Sequence, residues 1–128
     1  MIAGKLAQWG LLLDGETIRD DSVGRVLAAE TVTETAAEVA LSLKVTCHWM
    51  VTNSLHATAA DFSLADGTEG QLAYVVVKTK GTHDAVLTPD NFGPGSTLTF
   101  NAAGEAALLV FDGTNWQVMG SWGSPALA

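Results

Sequence analysis

The chain has little cysteine, little positive charge, little charge of any kind and no long apolar run. Its 128 residues hold one cysteine, Cys47. That excludes an intrachain disulfide framework and a multi-thiolate zinc site. Lys plus Arg number 6 against 14 Asp plus Glu, a formal net charge of −8. Phosphate binding needs clustered Lys and Arg, so nucleic acid is not an expected partner. No run approaches the roughly 18–20 apolar residues of a spanning helix, so no membrane is expected either. The opening text MIAGKLAQWGLLLDGE is interrupted by Gln8 and Gly10 and ended by Asp14 and Glu16. A secretory signal needs an unbroken apolar block of about 7–15 residues, so the expectation is synthesis in the cytosol, with Cys47 reduced.

What is present is apolar. Hydrophobic residues make up 48% and charged residues 16%, against about 25% charged in a typical domain. Mean hydropathy is +0.25. The length suits one domain, and the hydrophobic content excludes a disordered tail. Either the core is large for the length, or apolar surface is covered by something else.

Residues 1–37 read as an extended N-terminal arm and residues 38–128 as a β domain. The arm is rich in charge, with Asp14-Gly15 and Asp20-Asp21-Ser22 as breaks. Its clustered apolar residues Leu6, Trp9, Leu11, Leu12 and Leu13 are its sticky part. The alternative is that they pack on the chain's own core, since chain starts often dock as edge strands.

From Glu38 the pattern becomes period two. Val39, Leu41, Leu43 and Val45 predict a strand with one buried face. Cys47 to Thr52 continues or partners it, and Asn53-Ser54 breaks it. Phe62 and Leu64 mark a short strand closed by Asp66-Gly67. In Gln71 to Thr79 both parities are apolar, so this strand is covered on both faces. The second cover in a small all-β domain is often another subunit, which nominates Leu72, Tyr74, Val75, Val76 and Val77 as interface residues. Ala85 to Thr88 stops at Pro89, and Asp90 to Ser96 is loop text. Leu98 and Phe100 alternate with Thr97 and Thr99. Ala106 to Phe111, Asp112-Gly113-Thr114-Asn115 and Trp116 to Met119 form the clearest hairpin, with Leu109, Phe111, Trp116 and Val118 facing the core. The fold expected is all-β: a small antiparallel sandwich or barrel with an extended N-terminal arm.

Catalytic text is sparse. There is no G-x-S-x-G elbow, no P-loop and no dinucleotide fingerprint. Cys47 and His48 are neighbours on a strand, so they point to opposite faces and cannot pair. His48, His56 and His83 lack metal-ligand spacing, and Asp66 to Gly70 lacks the alternating oxygens of a calcium loop. No catalytic residue, metal or cofactor is expected. Trp116 belongs to the core and Trp49 to a strand. Trp9 and Trp122 lie in flexible text and read as anchors at a protein interface.

One succession is recognisable as a whole. Leu64-Ala65-Asp66-Gly67-Thr68-Glu69-Gly70-Gln71-Leu72 leads into Val75-Val76-Val77. Gly81 to Asp84, Ala85-Val86-Leu87-Thr88-Pro89 and an Asn-Phe-Gly loop follow. Thr97 to Asn101, Ala103-Gly104-Glu105 and Phe111 to Trp116 complete it. It resembles a module of tailed-phage virion proteins, found in capsid decoration (head fibre-like) proteins and fibre tips, and it covers about residues 38–122. The resemblance implies a non-enzymatic, homotrimeric decoration (cement) protein on the outer capsid surface of the virion. Its partner would be the major capsid protein, with neighbouring subunits clamped by the arm residues Leu6, Trp9, Leu11, Leu12 and Leu13. The alternative is a tail-fibre tip or adsorption module binding a host-surface glycan. A small β-fold enzyme is the third reading, and it would need a pocket gathering two histidines and a carboxylate.

Overall fold

A computed structural model describes residues 27–55, 59–123 and 125–128. These form ten strands and no helix. In chain order they are β1 (Ala29–Thr33), β2 (Val39–Ala40), β3 (Cys47–Val51), β4 (Ala60–Leu64) and β5 (Leu72–Thr79). They continue with β6 (Ala85–Pro89), β7 (Leu98–Phe100), β8 (Ala106–Phe111), β9 (Trp116–Trp122) and β10 (Ala126–Leu127). Two five-stranded sheets result, ordered β1-β3-β5-β8-β9 and β10-β7-β6-β4-β2. The all-β expectation holds, and the two open sheets form a small sandwich rather than a closed barrel.

The sheets are mixed, not antiparallel. The pairs β1·β3, β3·β5, β2·β4 and β4·β6 are parallel. The reason is the path of the chain. Through its first six strands it alternates between sheets, so each return to a sheet follows a crossing through the other one. Such a return brings the strand back in the same direction, where a hairpin would reverse it. Only the second half uses hairpin neighbours, β6·β7 and β8·β9, and both are antiparallel.

One cluster fills the space between the sheets. Val32, Met50, Val75, Val77, Leu109 and Trp116 enter it from the first sheet, and Phe62, Leu64, Leu87, Leu98 and Phe100 from the second. The alternation that places them is the period-two pattern of each strand. The hairpin expectation is met: Leu109, Phe111 and Trp116 are buried, and Val118 packs against the cluster. The turn forms because Asp112 accepts hydrogen bonds from the amides of Thr114 and Asn115 at 2.8 and 2.7 Å, while Gly113 takes φ 98°. Trp116 Nε1 donates to the Ala65 carbonyl at 2.9 Å, which satisfies the indole inside the core.

Two expectations change. The strand predicted from Glu38 to Thr46 shrinks to β2, and the chain turns at Leu43-Lys44. Here the Ser42 amide donates to Glu30 and the Lys44 amide to Ser42 Oγ. These side-chain acceptors replace ladder partners and carry the chain between sheets. The second change is β1, which falls inside residues 1–37 and is an edge strand of the first sheet.

Candidate functional site

The outer face of the first sheet carries the candidate site. Strand register lines up Thr31, Trp49, Val76, Ala106 and Trp122 across five strands. The neighbouring row runs Ala29, Cys47, Tyr74, Leu108 and Gly120. Large side chains flank small ones, because Ala106 and Gly120 lie between or beside the aromatic rings. The result is an apolar groove of about 370 Å³, lined among others by Leu27, Cys47, Trp49, Tyr74, Val76 and Trp122. Trp49 is 40% exposed and Trp122 49%. Both values are high for indoles that could have been buried.

Trp122 reaches this face through a β-bulge. From Trp116, simple alternation would send residues 118, 120 and 122 to the core. The register instead shifts between Leu108 and Leu109, so that Leu109 pairs with Val118 but Leu108 pairs with Gly120. Met119 is the extra residue. The shift inverts the parity of everything after it. Gly120 and Trp122 therefore face outward, and the Trp122 ring stacks on Tyr74 at 5.7 Å with planes 23° apart. Trp122 thus belongs to a strand, not to the flexible text expected for it.

Behind the groove, His48 is 1% exposed and faces inward. Its Nδ1 lies 2.7 Å from Glu30 Oε2 on the adjacent strand. The same oxygen accepts from the Ser42 amide at 2.8 Å. One carboxylate therefore ties β1, β3 and the turn after β2 together. Cys47 opens to the other side, so the adjacent thiol and imidazole lie on opposite faces.

The nominated interface residues divide by parity. Leu72, Tyr74 and Val76 lie on the outer face, and Leu72 is exposed. Val75 and Val77 are buried in the chain's own core. A contact with another molecule through this strand thus rests on Leu72, Tyr74 and Val76. Leu6, Trp9, Leu11, Leu12 and Leu13 lie outside the described residues. Sequence reasoning missed Trp49 as a surface residue. Its neighbour His48 is the polar one, so hydropathy favours the opposite assignment of faces. A possible signal was Glu30, an acid whose pairing makes a buried histidine tolerable. Among the described residues, no three His, Cys, Asp or Glu side chains gather around a position for a metal ion.

The chain matches no family model and no curated protein.

Proposed function

We propose that the chain is a non-enzymatic virion structural protein, a homotrimeric decoration (cement) protein of a tailed-phage capsid. The observation that carries this reading is the apolar outer face of the first sheet, where exposed Trp49 and Trp122 flank half-buried Val76 and buried Ala106, with Tyr74 and exposed Leu72 beside them. A contiguous apolar sheet face is costly in water, at roughly 25 cal/mol per Å² left uncovered, and patches of that kind mark interaction surfaces. The sequence resemblance supplies the biological setting. In this reading copies of the chain pack through Leu72, Tyr74 and Val76. The N-terminal residues Leu6, Trp9, Leu11, Leu12 and Leu13 grip the major capsid protein. Clamping is mechanical: the protein binds the assembled lattice and not free subunits, so it stabilises assembly by mass action. Many copies on one lattice add avidity.

Localisation in purified particles tests the proposal, with the capsid lattice as the expected position and light scattering of the free protein expected to give a trimer. A clean monomer at micromolar concentration, or absence from the capsid, overturns it.

The stacked Tyr74 and Trp122 with nearby Trp49 also favour a second reading, a glycan-binding adsorption module, because aromatic faces pack on sugar rings. Such a site needs several hydrogen-bonding groups as well, and the groove lining is mostly apolar. Glycan-array binding without capsid binding would select it.

A further inference from the structure

Strand β10 forms one edge of the second sheet, yet it follows directly on β9 at an edge of the first. It pairs antiparallel with β7, Ala126 opposite Thr99 and Leu127 opposite Leu98. Next to this pairing, the Ala128 carbonyl accepts from the amides of Ser96 and Thr97, and the Ala128 amide donates to the Thr97 carbonyl at 3.0 Å. Gly95 makes this seat possible, since a β-carbon there would come within 2.2 Å of the Ala128 oxygen. The seat therefore grips main chain. Little side chain is buried in it, for Ala126 and Leu127 are both exposed, Leu127 by 52%.

We infer that β10 is exchanged between copies, so that β10 of one protomer completes the second sheet of its neighbour; this rests on the reading of the chain as a homo-oligomer and names a contact that joins the copies. The seat is the same whichever copy supplies the strand, so ladder hydrogen bonds given up in one chain are regained in the next. The linker favours exchange. Gly123 takes φ 79° at a position where a β-carbon would lie 2.8 Å from Glu105 Cγ, and Pro125 has a fixed φ and no amide hydrogen. A short, tightly turned hinge of this kind invites swapping, because the extended path relieves the turn. Position favours it as well. The linker leaves from Trp122, which stacks on Tyr74 in the face through which copies are proposed to meet, so the neighbour stands beside the hinge. Tethering ordinarily favours the chain's own seat, at an effective concentration of order millimolar. Inside an assembled oligomer the neighbour's seat is held at a comparable concentration, so that preference vanishes and relief of the turn decides.

Disulfide trapping tests the exchange. Thr99→Cys with Ala126→Cys places two thiols on register partners, at a spacing a disulfide can span. A Cys47→Ser background removes the single native cysteine. The full chain is oxidised as purified and run on a denaturing, non-reducing gel. Exchange gives covalent multimers, up to a ring of three chains. A linked chain that runs as a monomer overturns the inference. A second variant, Gly95→Ala, blocks the seat and does not depend on a disulfide forming. It should dissociate to single chains on dilution to a concentration where wild type stays assembled, with far-UV circular dichroism showing the β-fold retained. Association equal to wild type overturns the inference. Light scattering of wild type separates this result from the trimer reading. A wild-type trimer whose linked chains are monomeric keeps the trimer and removes the exchange. Covalent dimers from a wild-type dimer keep the exchange and remove the trimer.

Discussion

Trp122 stacks on Tyr74 across the outer face of the first sheet, with ring centroids 5.7 Å apart. The two residues are not direct cross-strand partners: Tyr74 pairs with Leu108 and Trp122 with Ala106. The indole lies over Gly120, where a β-carbon would sit 3.5 Å from its edge. That distance is ordinary van der Waals contact, so the ring's position against Tyr74 does not require glycine there.

This pair should matter more for association than for folding. An aromatic pair is worth about 0.5–1.5 kcal/mol beyond area burial, and Trp122 is half exposed. Trp122→Ser should lower unfolding free energy by no more than about 1.5 kcal/mol in urea titrations. It should weaken self-association measured by light scattering. A large loss of stability with unchanged association would assign Trp122 to the fold alone.

Trp116 should behave in the opposite way. It is fully buried, packs edge-on against Phe111 at 5.2 Å and satisfies the Ala65 carbonyl. Trp116→Ala should cost about 3–5 kcal/mol, the usual range for deleting a core aromatic. Trp116→Phe should cost less, retaining most of the apolar volume but orphaning the carbonyl at about 1–3 kcal/mol. Equilibrium denaturation of both variants measures this.

Glu30 should prove a keystone of the β1 edge. Glu30→Ala removes the acceptor shared by His48 and the Ser42 amide. The expected loss is about 1–3 kcal/mol, because a buried imidazole nitrogen is left without its partner. Glu30→Gln, which keeps an acceptor oxygen, should recover part of it. Hydrogen exchange should show the Ser42 amide deprotected in the alanine variant. Unchanged protection there would remove the keystone role.

Acid should loosen the β8–β9 turn. The Asp112 carboxyl is held below its ordinary value of 3.8, chiefly by the Asn115 amide, then by the Gln117 side chain and the Thr114 amide. A depressed value means the ionised form is favoured on folding. Its contribution is therefore fully present above pH 3.8 and is lost as pH falls through the folded value below it. Asp112→Asn should lower the melting temperature at neutral pH, and the gap from wild type should close below that carboxylate range. A gap that does not depend on pH would contradict the assignment.

The sequence by itself determined the strands whose turns and parity agree. The β8–β9 hairpin was legible because Asp112-Gly113 demands a tight turn and one register buries Leu109, Phe111, Trp116 and Val118 together. Strand β5 was legible from its apolar run, and β4, β6 and β7 from alternation with turn residues between them. Local propensity and side-chain period act within a few residues, so a sequence records them directly. Tertiary structure decided the rest. Parallel pairing of β1, β3 and β5 arises from crossings between sheets, and no local signal specifies which distant strand a returning segment meets. The exposure of Trp49 depends on His48 finding Glu30 on another strand. The outward turn of Trp122 depends on one unpaired residue, Met119, whose only effect is on register. The apolar face was foreshadowed by a composition with too little charge, but its position on the molecule follows from pairing between strands far apart in the chain.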